Sequence, residues 1–119
     1  MRSHSREIII YYNSESSSDR RALAYAKSIS KHIVAYDHSK NSITSTNWKM
    51  ILSKLDREPK LLLNKAHPYY QKNIKGKEFN DEDWINILQK NPDLIKAPIA
   101  ISGSTILVLD TPTDVLRLT

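Results

Sequence analysis

The chain is 119 residues long, is 39% hydrophobic, carries a formal net charge of +5 and contains no cysteine. That length fits a single domain over residues 1–119 with a modest core, and the missing sulfur excludes disulfides, thiolate metal sites and thiol redox chemistry. The longest apolar run, Ile8 to Tyr12, is far short of the roughly 18–20 residues of a membrane helix, and residues 1–6 lead into no signal-type stretch, so a cytoplasmic protein with no membrane partner is expected.

In chain order, the isoleucines at Ile8, Ile9 and Ile10 predict a buried strand over 7–12. A short polar loop follows, and then a helix over about 17–31 that sets Ala22, Leu23, Ala26 and Ile29 on one face. His32 to Tyr36 reads as a second strand, joined in parallel to the first by a right-handed crossover. From about 44 to 95 the pattern is helical: Trp48, Ile51, Leu52 and Leu55, then Leu61 to Leu63, then Trp84, Ile85 and Leu88. Asn80 is placed to cap the last of these helices, with Asp81, Glu82 and Asp83 suiting its positive end. Pro59 and Pro68 punctuate the region, and Gly76 closes a short helix or turn. Pro98 to Ile101 and Thr105 to Leu109 flank Gly103 as a hairpin. Thr111, Pro112 and Asp114 open a final helix whose Val115, Leu116 and Leu118 dock on the sheet. The order βαβ, helices, ββα predicts an α/β fold: a four-stranded mixed sheet with helices on both sides and an all-helical insertion, about 44–95, between the second and third strands.

Charge is unevenly spread, for residues 60–77 hold five lysines (Lys60, Lys65, Lys72, Lys75, Lys77) and no acid. Such a stretch suits an acidic partner, although a solvated lysine face is the simpler reading; with no arginine and no nucleic-acid motif in it, nucleic acid is not expected. His4, His32, His38 and His67 show no metal-ligand spacing, so no metal is expected. Trp48 and Trp84 fall in helical patterns and read as packing residues.

The chemistry-bearing segment is the passage from strand to helix at 13–20. A helix start offers free backbone N–H groups and a partial positive charge, and here Asn13, Ser16, Ser17, Ser18 and Arg20 make a candidate seat for phosphate, sulfate or a carboxylate. Glu15 and Asp19 oppose it. Ser16 as a nucleophile needs a neighbouring base, and no histidine relay stands near in sequence. No catalytic residue is assigned, and a capping serine is the plainer reading.

Two strings within this order resemble the arsenate reductase (ArsC) family, which includes the Spx regulators and has a thioredoxin-like fold with a helical insertion. The family's first motif, Tyr-His-Asn-Pro-X-Cys-X-X-Ser-Arg, is matched in register by Tyr11, Asn13 and Arg20. Its second, Asn-Pro-X-Leu-Ile-X-Arg-Pro-Ile, is matched by Asn91, Pro92, Leu94, Ile95, Pro98 and Ile99. The departures concentrate on chemistry. Ser16 stands at the nucleophilic cysteine, Asp19 at the serine or second cysteine, Ser14 at the proline, Tyr12 at the histidine and Ala97 at the arginine before Pro98, while Asn64 stands near another oxyanion-binding arginine. The resemblance also implies a cis Pro98 facing the loop.

Arsenate reduction in this family needs a thiolate to attack arsenic and then to accept a second sulfur, which a hydroxyl does not do. The resemblance therefore implies a reductase scaffold without redox chemistry, acting as a protein- or small-anion-binding module, with Asn13, Ser16, Ser17, Ser18, Arg20 and Pro98 as the ligand-facing set. One alternative is an Spx-like adaptor docking on RNA polymerase or another large partner through the insertion and its lysines. Another is a glutathione-dependent enzyme, glutathione being the only cofactor considered. The sequence assigns no oligomeric state.

Overall fold

β-Branched side chains favour extended backbone, and the isoleucine run forms strand β1, Ile8–Tyr12. The computed structural model describes residues 7–55 and 58–118. These divide into two compact units, one comprising the chain up to Asn41 and from Ala97 onward, the other Ser42–Lys96.

In the first unit, helix α1 (Ser17–Ile29) buries Ala22 and Ala26, one turn apart, against Ile8 and Ile10. Ser30 ends the helix, its N–H reaching the Ala26 carbonyl at 3.1 Å. Strand β2 (Ile33–Asp37) pairs in parallel with β1, Ile8 opposite Ile33 and Tyr12 opposite Asp37, so the chain needs the α1 crossover between them. β3 (Ile99–Ser102) lies antiparallel to β1, and β4 (Thr105–Val108) antiparallel to β3, giving the order β2-β1-β3-β4. Gly103 takes φ 60° and Ser104 stays at negative φ, the pattern of a two-residue type II′ turn. Ala100, Leu109 and Val115 complete the core on the α1 face.

Two expectations are corrected here. The last helical element, Pro112–Leu118, is a 3-10 helix. Pro112 removes a donor at its start, and so short a segment gains little from α-type bonds. The Ala97–Pro98 peptide bond is trans, no cis bond occurring among the described residues. The Pro98 carbonyl accepts the Leu109 N–H at 2.8 Å, so Pro98 continues the β3–β4 ladder in extended form, and nothing there offsets the roughly 0.5–1 kcal/mol preference for trans.

The second unit carries α2 (Ser45–Lys54) and α3 (Asp81–Lys90), which pack on each other. Thr44 caps the first, its Oγ1 accepting the Asn47 N–H at 3.2 Å, and Asn80 the second, its Oδ1 accepting the Asp83 N–H at 2.8 Å. Between them lie a 3-10 turn, Pro59–Leu62, and a π-turn, Tyr70–Ile74, closed by Gly76 at φ 77°. Trp48, Ile51, Leu62, Ile74, Leu88 and Leu94 are sealed from solvent. A short bridge of Leu63 with Ile95 is flanked by two backbone bonds, Asn64 N–H to the Leu94 carbonyl at 2.7 Å and Lys96 N–H to the Leu62 carbonyl at 2.9 Å. The architecture is therefore α/β, with a four-stranded mixed sheet and a helical insertion between β2 and β3.

Candidate functional site at the start of helix α1

Ser16 is the N-cap of α1, with extended backbone and its Oγ accepting the Asp19 N–H at 3.2 Å. Asn13 organises the approach. Its Oδ1 accepts the Glu15 N–H at 2.9 Å, its carbonyl accepts the Ser16 N–H at 3.0 Å, and its own N–H donates to Asp19 Oδ2 at 2.8 Å. Asp19 is only 4% exposed, so the loop closes around a buried carboxylate. Burial pushes this carboxyl above the ordinary range, with the Asn13 and Ser16 hydrogen bonds pulling the other way.

Arg20, the surviving guanidinium, is turned back on the loop and donates from Nη1 to the Ser14 carbonyl at 2.7 Å. Ser14 N–H in turn donates to Asp37 Oδ1 at 3.2 Å. The same oxygen accepts Ser39 N–H at 3.0 Å and Ser39 Oγ at 2.6 Å, and Ser39 Oγ lies 3.4 Å from Ser14 Oγ. Burial raises the Asp37 carboxyl, but the hydrogen bonds from Ser14 and Ser39 outweigh it and hold the group well below the usual carboxylate range. Beside it His38 is 2% exposed, and among the described residues neither ring nitrogen has a hydrogen-bond partner. Burial drives its pKa down against the opposing pulls of Asp37 and of its own backbone.

Donor accounting shows what this helix start can do. The N–H groups of Asn13, Ser14, Glu15, Ser16, Asp19 and Arg20 all bond within the chain. Ser17 and Ser18 are exposed at the first two helical positions, and among the described residues their N–H groups have no partner. Of the backbone donors, two amides are thus left over, next to the carboxylates of Glu15 and Asp19.

Ser16, Ser17, Ser18, Asn13 and Arg20 are brought together at this turn. Pro98 is buried and arrives at the same end of the sheet, since Ile99 pairs with Tyr11, but its carbonyl bonds Leu109. Tyr12 packs on the α1 face of the core. Ser39 and Asp37 are absent from the residues selected on sequence for this site, and His38 figures there only among the histidines without metal-ligand spacing. The parallel pairing of β1 with β2 was the available signal, because it places Asp37 opposite Tyr12, one residue before the loop.

This strand order, with a helical insertion between the second and third strands, defines a thioredoxin-like fold. Solved structures narrow it. An arsenate reductase from Vibrio cholerae superposes with a TM-score of 0.84 at 19% identity, covering 95% of this chain and 98% of that one. A Yersinia pestis protein provisionally named an arsenate reductase gives 0.81 at 19% identity, with 93% and 99% covered. An arsenate reductase (ArsC) related protein from Brucella melitensis gives 0.65 at 15%, with 90% and 89% covered. No protein-family model matches the sequence, and no curated protein matches it either. The chain thus has the fold of the arsenate reductases, with no cysteine in it.

Proposed function

We propose that the protein is an arsenate-reductase scaffold that has left redox chemistry and serves as a module for binding another protein. The observation that carries this is at Ser16, where the resemblance puts the nucleophilic sulfur: the residue is a hydroxyl already spent as a helix cap on Asp19. Reduction of arsenate by this scaffold needs a sulfur nucleophile and a second sulfur to close an S–S bond, and the chain supplies neither. The inward turn of Arg20 and the carboxylate of Asp19 weigh against a small anion as the ligand.

The test is turnover. Purified protein with arsenate is assayed once with glutathione, glutaredoxin and NADPH, and once with thioredoxin and its reductase. Rates equal to the protein-free blank are expected, and turnover above blank that disappears in Ser16→Ala refutes the reading. Glutathione itself is tested by calorimetry, where heat of binding at millimolar concentration restores the glutathione-dependent alternative.

A second reading, an Spx-like adaptor, is favoured by one feature of the second unit. Lys65, Lys72, Lys75 and Lys77 are all exposed, and none makes an ion pair with a described residue. An acidic protein surface is the partner such a face suits. If it is used, a captured partner identified by mass spectrometry is lost from the Lys72→Ala, Lys75→Ala, Lys77→Ala triple variant and kept by wild type.

A further inference from the structure

Strand β2 lies at one edge of the sheet, and the phase of its backbone can be worked out. Ile8 N–H donates to the His32 carbonyl and His38 N–H to the Tyr12 carbonyl, both at 2.9 Å. In a parallel ladder these end bonds require Val34 and Tyr36 to turn their backbone groups toward β1 and Ile33, Ala35 and Asp37 to turn theirs outward. Among the described residues the outward N–H and C=O groups of Ile33 and Ala35 have no partner. The Asp37 carbonyl is already taken by the Lys40 and Asn41 N–H groups, both at 3.2 Å.

Edge strands are ordinarily protected by lysine, proline or a bulge. β2 reads Ile-Val-Ala-Tyr-Asp, with continuous register against β1 and only the terminal aspartate charged. Ala35 is exposed, and Tyr36, 51% exposed, is held in place by stacking on Tyr11 with ring centroids 5.4 Å apart. Among the described residues this edge is therefore uncovered and largely apolar.

We propose that β2 pairs antiparallel with β2 of a second copy of this chain about a two-fold axis at Ala35, joining the two sheets into one. The strand is self-complementary in this register. Ala35 meets Ala35 of the other copy and exchanges both N–H···O=C bonds, and the Ile33 carbonyl accepts the Asp37 N–H freed on the same edge. Val34 stands opposite Tyr36, an aromatic and β-branched cross-strand pair of the stabilising kind, and Lys31 falls diagonal to Asp37, opposite in charge. The facing apolar pairs and the one diagonal of opposite charge make the strand complementary to itself, and this is the ground for a second copy as occupant. An isologous pair of this type closes at two subunits. Five residues a side bury less than a standard interface, so the dimer is weak, with dissociation in the micromolar to millimolar range.

Sedimentation velocity of the full chain across that range tests it, with Ala35→Lys and Ala35→Glu measured separately and then mixed. Wild type is expected to shift from monomer to dimer with concentration. Each variant sets like charges face to face at the axis and raises the dissociation constant up to about fivefold, whereas the equimolar mixture regains wild-type association or exceeds it. A wild type that stays monomeric throughout overturns the proposal, as does association unchanged in both variants or not recovered on mixing. Recovery also excludes misfolding as the cause of the single-variant loss.

Discussion

His38 makes a counterintuitive prediction possible, because a buried polar residue is ordinarily assumed to be worth keeping. The residue is 2% exposed and among the described residues neither ring nitrogen has a hydrogen-bond partner, so folding strips water from two polar atoms without a hydrogen bond in return. An unsatisfied buried polar group costs about 1–3 kcal/mol, and His38→Leu, close in volume and without polar atoms, is expected to stabilise the protein by that amount. In a chain of this size the melting temperature should rise by roughly 4 °C or more. The pH dependence follows from the lowered pKa. The unfolded chain protonates this histidine near its ordinary value of about 6.5 while the native ring stays neutral, so stability is full above that pH and falls below it, by up to about 1.4 kcal/mol per pH unit until the native pKa is reached. Urea denaturation at pH 7.5 and at pH 5.5 measures both effects. His38→Leu should gain more over wild type at the lower pH. A variant less stable than wild type at both pH values, with an unchanged acid dependence, refutes the reasoning, because it means the ring is hydrogen-bonded in solution.

Other expectations follow from the same accounting. Gly103→Ala meets no atom within 4 Å, yet φ is +60°, so the cost is purely conformational, about 1 kcal/mol, and is read as a lower urea midpoint with unchanged slope. Asp19→Ala removes the acceptor of the Asn13 N–H, and chemical denaturation at neutral pH should show a loss of about 1–3 kcal/mol. Because burial holds the Asp19 carboxyl above its unfolded value, the native state keeps its proton longer than the unfolded chain. The part of its contribution tied to that proton is therefore full below the unfolded pKa and is lost as pH rises through the folded one, a slope that Asp19→Asn should abolish, while the Asn13 hydrogen bond remains at neutral pH and is what the Asp19→Ala loss measures.

Much of the first unit was legible because each signal was local. A β-branched run, small residues at helical spacing and Gly103 between two apolar runs fix β1, α1 and the hairpin, and chirality of the crossover then leaves little choice of strand order. What was hidden depends on pairing across distance. Asp19 reads in sequence as a first-turn acid suited to the helix dipole, and only the closed loop shows it buried as the acceptor for Asn13. His67 shows no neighbouring carboxylate in sequence, yet its Nε2 lies 2.8 Å from Asp93 Oδ2, 26 positions away, while its Nδ1 accepts the Tyr69 N–H. The π-turn at Tyr70–Ile74 has no sequence signature beyond the Gly76 that ends it. Pro98 was misjudged for a different reason, since the resemblance supplied an isomer that the extended ladder in this chain does not require.

The claim on which the rest depends is that the start of α1 has become a cap whose serine, arginine and carboxylate are engaged within the loop, with no grip on an oxyanion. It is tested most directly by following the backbone amides of residues 13–20 by NMR in ¹⁵N-labelled protein while arsenate is added, with chloride at equal ionic strength as control. The expected result is no saturable shift at any of them. Saturable movement of the Ser17 and Ser18 amides, abolished by Arg20→Ala, would contradict it.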